Sequence, residues 1–436
     1  MTISNIKKKI THGPSRAPLK ISIIGMGYVG LPMAIRFAEI GDKVIGFDLD
    51  QFKIDSLKKS KSYLSHIDSK EIKSLNKLDF LPSTNAQSLK GSDVFIICVP
   101  TPLNRYKEPD MQYIHSAIKI LSSYFKHNQT ICLVSTTYPG TTEEVIIPSL
   151  REANFIPGKN INVIYSPERE DPGNESYNFQ TTPRIIGGYS ASCLKAGIQL
   201  FEKAVDNLVT VSDLKTAEMV KLLENIYRSV NIGLVNEIKK ITHKMGIDVF
   251  EVIEAAKSKP FGFQAFFPGP GLGGHCIPID PFYLSWKAKE FDLTNHFIEL
   301  AGEINTQMPY WVVDRAIETL NSVGKSISNS KILVLGASYK KNINDIRESP
   351  SLKILNLLSA QKAQLQYSDP FVPSLQIKNK AMKSTALTKH NLSSNDLIII
   401  VTDHDQFDFN KIKQHSNLIL DTRGVYKKLS KKIFRA

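Results

Sequence analysis

What the sequence lacks narrows its class first. No run of about 18 or more uncharged apolar residues occurs, so a membrane-spanning helix is not expected. The first residues lack the apolar core of a secretory leader, which makes the cytoplasm the expected location. Cysteine is sparse. Cys98, Cys132, Cys193 and Cys276 stand far apart with no C-x-x-C pair, which speaks against a disulfide framework and against a zinc ribbon. His275, Cys276 and Asp280 lie close in sequence but have no second cluster to complete a coordination sphere, so no metal is expected. Acidic residues are missing from both ends. Residues 1–20 carry Lys7, Lys8, Lys9, Arg16 and Lys20, and residues 424–436 carry Lys427, Lys428, Lys431, Lys432 and Arg435. Those ends hold ten of the thirteen excess positive charges, so the net charge of +13 reads as basic, solvated tails rather than a nucleic-acid face. A small anionic substrate fits the remainder.

What is present is a chain of 436 residues, too long for one ordinary core, so two or three domains are expected. Lys20-Ile-Ser-Ile-Ile-Gly25 reads as a buried strand entering a glycine turn, followed by a helical pattern from Leu31 to Ile40 and a second strand over Lys43–Asp48. Apolar runs recur at 93–100, 130–136 and 162–166 with helical stretches between, the alternation of a parallel, helix-covered sheet. From Asp213 to about His243, Leu214, Ala217, Val220, Leu223, Ile226, Val230, Leu234, Ile238 and Ile241 recur at helical spacing. Helix continues to about residue 256, a Gly/Pro/Phe-rich loop covers 259–281, and helix resumes over 282–290 and 294–306. Strands return at 331–336, 364–369, 396–402 and 417–421. The expected class is α/β: two Rossmann-like parallel-sheet domains joined by a helical central domain with a long helix. The boundaries read as a basic tail over 1–19, a dinucleotide-binding domain over 20–211, a helical domain over 212–310 and a second α/β domain over 311–436.

Gly25-Met-Gly27-Tyr28-Val29-Gly30 sits between a strand and a helix. There the glycines allow a tight turn, close approach to a pyrophosphate and close helix packing. Asp48 ends the next strand 18 residues after Gly30, where a carboxylate accepts from both ribose hydroxyls and repels a 2′-phosphate. This favours NAD over NADP, with Lys53 the one nearby residue pulling the other way. The alternative is a glycine turn without a ligand.

The most unusual stretch is Pro268-Gly-Pro-Gly-Leu-Gly-Gly-His-Cys276-Ile-Pro-Ile-Asp280. Four glycines in seven residues let the backbone close on a ligand, and Cys276 ends that loop beside His275 instead of sitting within a strand. It reads as a reactive thiol or as a packed one. Lys221 and Asn225 are four apart on one helix face, a functional pair or solvated surface. Glu168 and Thr136 each follow a strand end, where α/β enzymes keep functional loops, yet each is also an ordinary loop residue. Tyr339-Lys340 and Asp345-Ile-Arg347-Glu-Ser-Pro follow a strand, either to cradle an anion or to cap a helix.

In chain order these residues, with Cys98-Val-Pro-Thr101-Pro, Ser135-Thr136, Pro167-Glu168 and Asp421-Thr-Arg423, resemble the UDP-glucose / UDP-N-acetylmannosamine dehydrogenase family from about Lys20 to Arg423. The stretch from Phe266 to Leu284 looks most like the branch that oxidises UDP-N-acetylglucosamine to its uronic acid, a precursor of surface polysaccharides, with UDP-N-acetylmannosamine, UDP-N-acetylgalactosamine and UDP-glucose as the alternative sugars. The resemblance implies an NAD-dependent four-electron oxidation with Cys276 as covalent nucleophile. It makes Lys221 and Asn225 the oxyanion pair, Asp280 and Thr136 water-positioning residues, and Glu168 the glutamate that serves thioester hydrolysis. It assigns Gly25, Gly27, Tyr28, Val29, Gly30, Asp48, Lys53, Thr101, Ser135, Thr136 and Arg347 to the cofactor. Glu168, Lys221, Asn225, Phe267, Gly269, Gly271, Gly273, Tyr339, Lys340 and Arg423 fall to the substrate, and a homo-oligomer, as a dimer, is implied through the long helix. One departure is visible. The UDP-glucose enzymes place a second glutamate four residues after the first, and here that position is Pro172, with Arg169, Glu170 and Asp171 nearby. Two other classes remain open: a two-electron hydroxy-acid dehydrogenase, which yields one NADH per substrate instead of two, and a non-catalytic nucleotide-sugar binder.

Overall fold

A strand covered by helices on both faces reads as an unbroken apolar run, and the first sheet is built from such runs. A computed structural model of the chain describes residues 17–64, 66–104, 106–170, 176–274, 277–378 and 380–436. In it β1 (Lys20–Ile24), β2 (Lys43–Phe47), β3 (Phe80–Ser83), β4 (Val94–Ile97), β5 (Gln129–Leu133), β6 (Ile161–Tyr165), β7 (Arg184–Gly188) and β8 (Leu208–Thr210) form one sheet in the order β3-β2-β1-β4-β5-β6-β7-β8. All pairs are parallel except β6 with β7. Alternate residues of β1 serve two apolar layers: Ile21 and Ile23 pack with Leu31 and Phe37 on one face, Ile24 with Phe95 and Ile97 on the other. Each such side chain contributes about 1.5–3 kcal/mol of burial. The strand order reverses between β1 and β4, and open α/β sheets bind ligands at that switch point, beyond the carboxyl ends of the strands. Gly25 and the Cys98–Thr101 segment therefore border one crevice.

The chain divides into two compact units, Met1–Glu224 with Phe282–Leu293, and Asn225–Pro281 with Thr294–Ala436. The second contains β9 (Lys331–Leu335), β10 (Gln364–Ser368), the antiparallel hairpin β11 (Ser374–Ile377) and β12 (Lys380–Lys383), β13 (Leu397–Ile400), β14 (Ile419–Asp421) and β15 (Ile433–Arg435). Its five-stranded sheet runs β10-β9-β13-β14-β15, all parallel, with its own switch point between β9 and β13.

Two features differ from the sequence expectation. The helix expected to stop near 306 runs from His296 to Asn321 through Pro309. An interior proline costs about 3 kcal/mol. The turns beyond it bury Val312, Val313, Ala316 and Leu320 against the second sheet, and their burial outweighs that cost. The basic C-terminal end is solvated at Lys427, Lys428 and Lys431 but is not a tail: β15 closes the sheet, and Arg435 is paired with Asp421 and Asp248. The basic residues Lys7 to Arg16 lie outside the described residues. The long helix forms as expected, over Leu214–Lys244, and of its regularly spaced apolar residues Leu214, Ala217 and Ile226 are buried. Leu223, Leu234 and Ile241 are about half exposed, whereas Glu218, Lys221, Asn225, Ser229, Asn236 and Lys239 are buried. Among the described residues no helix is long and apolar enough to cross a membrane.

Candidate active site

At the first crevice the chain is shaped to receive phosphate. Gly25 has φ +100° and a side chain at Gly30 would strike the Gly25 carbonyl, so both positions need glycine. A Cβ at Gly27 meets nothing within 4 Å, which leaves that backbone open to a ligand. The helix Gly30–Glu39 begins after Val29, whose side chain caps nothing, so its amino end is free to bind an anion. Asp48 is held at the end of β2: Oδ2 accepts from Met26 N at 2.8 Å and from Lys53 Nζ at 3.0 Å, and Oδ1 accepts from Asp50 N at 2.9 Å. Lys53 is thus the partner of the acid. Tyr28 stacks on His66 with ring centroids 5.3 Å apart. Tyr63, which sequence reasoning missed, donates to Met26 O; burial, then the Asp48 and Asp50 charges, push its phenol up. Across the switch point, Thr101 Oγ1 donates to Thr136 O and Ser135 Oγ to Val99 O, each at 2.7 Å. An open turn, an uncapped helix end and a fixed carboxylate together fit a dinucleotide.

Glu168 follows β6 with its two oxygens in different situations. Oε1 accepts from Arg169 N at 2.6 Å and Glu170 N at 2.7 Å. Oε2 is buried without a hydrogen-bond partner among the described residues, with Arg184 Nη1 3.7 Å away. Arg184 is held by Ser166 Oγ at 2.8 Å. Burial first, then the Glu168 charge, push Glu170 up to about 8. Arg169 pairs with Glu224 at 2.6 Å. Pro172 and Asp171 lie outside the described residues. Lys221, 6 % exposed, has no hydrogen-bond or ion-pair partner among the described residues. One turn earlier on the same helix, Glu218 accepts from Gly140 N at 2.5 Å, Thr142 N at 2.9 Å and Thr142 Oγ1 at 2.7 Å. It ties the helix to the loop that carries Thr136, and burial pushes it up to about 7.

In the second unit, Asn225 and Asp280 are both buried, and Asn225 Nδ2 donates to Asp280 Oδ2 while its Oδ1 accepts from Arg228. The glycine loop rests on this unit's own residues. Gly269 N donates to Asn236 Oδ1 at 2.9 Å, and Asn236 Nδ2 donates to Asn305 Oδ1 at 2.8 Å. A Cβ at Gly269 would lie 2.8 Å from Arg423 Nη1, and one at Gly274 would lie 2.9 Å from the Tyr339 ring. Gly273 is pressed on Tyr339 as closely, Gly271 adopts φ +136°, and Gly274 N donates to Arg347 O at 3.0 Å. Phe267 is partly exposed, and Arg347 pairs with Asp345 at 2.6 Å. Lys340 follows Tyr339 in the loop after β9. His275 and Cys276 lie outside the described residues, and among the described residues no cluster of His, Cys, Asp and Glu could hold a metal.

Beneath Arg423 lies a group that sequence reasoning did not single out. Lys239 is 3 % exposed, its Nζ 3.4 Å from Thr422 O, and burial lowers it to about 7. Around it Asp421 and Asp248 already balance Arg423 and Arg435. The fold therefore binds fewer protons here than the unfolded chain between pH of about 7 and 10.5, and stability rises with pH across that window. Lys239→Met should flatten that rise and raise the melting temperature at pH 7 by about 2–4 °C, the yield of roughly 1 kcal/mol. Thermal melts of both proteins across the window check it, and a lower melting temperature in the variant contradicts it.

Comparison with known proteins decides what this arrangement serves. Three models of the UDP-glucose/GDP-mannose dehydrogenase family match in tandem: the NAD binding domain over residues 19–205, the central domain over 215–307 and the UDP binding domain over 333–428. The chain belongs to this family. It is an NAD-dependent UDP-sugar dehydrogenase, and its cofactor is NAD. A UDP-N-acetyl-D-mannosamine dehydrogenase of Pyrococcus horikoshii is 34 % identical over 94 % of this chain and 96 % of its own. An NDP-N-acetyl-D-galactosaminuronic acid dehydrogenase of Ralstonia nicotianae is 32 % identical over 93 % of this chain and 96 % of its own. The solved structure of the UDP-D-ManNAc dehydrogenase from Pyrococcus horikoshii superposes with a TM-score of 0.86 at 30 % identity, covering 96 % of this chain and 99 % of that one. Against this background a two-electron hydroxy-acid dehydrogenase has no use for the matched UDP binding domain.

Proposed function

We propose that this dehydrogenase oxidises C6 of a UDP-2-acetamido-hexose from primary alcohol to carboxylate through covalent intermediates on Cys276. The observation that carries the reading is the seating of the glycine loop. Gly273 and Gly274, the last described residues before His275 and Cys276, are packed so closely on the Tyr339 side chain of the UDP binding domain that a Cβ at either would strike it. A loop pinned to the nucleotide handle continues in sequence directly into His275 and Cys276.

Bound NAD supplies the hydride acceptor for both oxidations. The chain's own residues do the rest. The Cys276 thiolate adds to the C6 aldehyde, which both captures it and makes the hydrated oxidation level accessible without free water. The Lys221 ammonium and the Asn225 amide hold the negative oxygen, Lys221 as a buried cation with no other described partner. Asp280, which fixes the Asn225 amide, and Thr136 orient the attacking water. Glu168 takes its proton on the unpartnered Oε2. Water cleaves the thioester and returns the thiol and a carboxylate. Asp48 and the turn Gly25–Gly30 hold the dinucleotide, with Thr101, Ser135 and Arg347 in the same role. Gly269, Gly271, Gly273, Phe267, Tyr339, Lys340 and Arg423 hold the UDP-sugar.

For the sugar, the Phe266–Leu284 stretch supports UDP-N-acetylglucosamine as the first reading. The mannosamine relative supports UDP-N-acetylmannosamine as the second; the two differ at one stereocentre. A cytoplasmic, polysaccharide-precursor role, the three-part domain division and a homodimer belong to the same proposal. The half-exposed apolar residues Leu223, Tyr227, Leu234 and Ile241 of the long helix support the last of these. NAD reduction with a panel of UDP-sugars, read with the stoichiometry, tests the reading. Two NADH per molecule of an acetamido sugar are expected, and a preference for UDP-glucose, or one NADH per molecule, overturns it.

A further inference from the structure

The loop after β9 that carries Tyr339 and Lys340 is suspended from a buried constellation that the reaction does not use. Asp369, after β10, accepts on Oδ2 from Ala337 N at 2.7 Å, Ser338 N at 3.0 Å and His404 Nε2 at 2.9 Å. Its Oδ1 accepts from Phe371 N at 2.8 Å and Val372 N at 3.0 Å. His404, after β13, accepts on Nδ1 from Asn342 N at 2.9 Å. Ser338 Oγ is 3.1 Å from His404 Nε2 and donates to Lys340 O at 3.0 Å, while Thr402 Oγ1 donates to Ser338 O at 2.6 Å.

Serine, histidine and aspartate in contact suggest a hydrolytic triad, but the hydrogen bonds exclude it. A backbone N–H only donates, so Nδ1 is the acceptor and Nε2 carries the proton. That proton points at Asp369, and the imidazole cannot take one from Ser338. Ser338 and His404 are fully buried and Asp369 is 3 % exposed, so no substrate reaches them. The rings of Phe371 and Phe407, 5.2 and 5.3 Å from the imidazole, keep its plane fixed.

We propose that His404 is the positioning residue of the nucleotide-sugar handle: one ring nitrogen satisfies the buried Asp369 and the other closes the Tyr339–Lys340 loop by taking the N–H of Asn342. The inference rests on the reading of Tyr339 and Lys340 as substrate contacts. The two nitrogens do separable work. Nε2–H adds the one imidazole donor to a buried carboxylate that four backbone N–H groups also hold. Nδ1 supplies the acceptor at Asn342, a residue at φ +64° where the chain turns back towards Asp345. Tyr339 N then donates to Asp345 O at 3.0 Å, which sets the side chain whose Cβ meets Gly273 and whose ring meets Gly274. The Nε2 side therefore governs stability and the Nδ1 side governs handle geometry.

Two amide substitutions divide these functions in the full-length enzyme. His404→Gln reaches Asp369 with an amide donor but offers Asn342 nothing. His404→Asn places its carbonyl oxygen near the Nδ1 position but does not reach Asp369. His404→Gln is expected to keep the melting temperature near wild type, to raise KM for the UDP-sugar and the calorimetric Kd for UDP about tenfold, and to leave kcat and KM for NAD unchanged. His404→Asn is expected to melt lower while keeping KM for the UDP-sugar within about threefold of wild type. Unchanged UDP affinity in His404→Gln, or KM rising in step with lost stability in both variants, overturns the assignment. Tyr339→Ala separates the two levels. If it binds UDP as tightly as wild type, the reading of this loop as the handle fails and the inference with it. If it binds weakly while His404→Gln does not, His404 alone is misassigned.

Discussion

Cys276→Ala is expected to abolish net UDP-uronate formation, with kcat for the four-electron reaction falling on the order of 10³-fold or more, as removal of a covalent nucleophile does. The reason lies in the second oxidation. An aldehyde carries no hydroxyl from which a further hydride can be driven off, so it must first gain a nucleophile at carbon. Addition of the thiolate provides one at the point where the aldehyde forms, and the same bond keeps the aldehyde from escaping. Alanine removes both effects and leaves the cofactor cradle of Gly25, Gly27, Gly30 and Asp48 untouched, since those residues lie in the turn after β1, at the start of the first helix and just after β2. NAD affinity should therefore be unchanged while NADH production stalls at or before one equivalent. Product analysis by mass spectrometry, alongside NADH counting, checks this. Near-normal turnover in the variant would sink the covalent scheme.

The dinucleotide cradle was legible because its determinants are local. Three glycines within six residues, and an acid at the end of the next strand, specify a turn whose geometry needs no distant partner. Glu168 was legible for a related reason, since it follows a strand end. For the long helix, period alone identified the element without saying which face is buried. Leu223, Leu234 and Ile241 satisfy the spacing and remain half exposed. The inward face is polar because it serves loops brought up from elsewhere: Asn236 holds Gly269 33 residues away and Glu218 holds Gly140 78 residues away. His404 meets Asn342 across 62 residues, and no local spacing announces such a pair. The C-terminal lysines read as a tail for the same reason. The partners that make Arg435 structural are Asp421, on the neighbouring strand, and Asp248, 187 residues away.

Glu168→Gln is expected to separate oxidation from hydrolysis. In the wild type the two carboxylate oxygens have different work: Oε1 is held by two backbone N–H groups, and Oε2 is left without a hydrogen-bond partner among the described residues. A held oxygen fixes orientation, and a buried oxygen without a hydrogen-bond partner, approached only by Arg184 at 3.7 Å, is open to a water. In the wild type Glu170 does not share the role, since burial first, then the Glu168 charge, push it up to about 8, and in the variant its burial remains. Glutamine keeps an acceptor for the Arg169 and Glu170 N–H groups if its carbonyl takes the Oε1 side, which puts the NH2 where the base was. Both oxidations still proceed, and only cleavage of the thioester loses its base, a loss of about 10²–10⁴-fold. Rapid mixing with UDP-sugar and NAD should then give a burst of two NADH per active site followed by a slow steady state. Intact-protein mass spectrometry should show the enzyme carrying a UDP-uronyl group, released by hydroxylamine. Turnover within about tenfold of wild type, with no covalent adduct, shows that another group activates the water, and Glu168 is then a binding residue only.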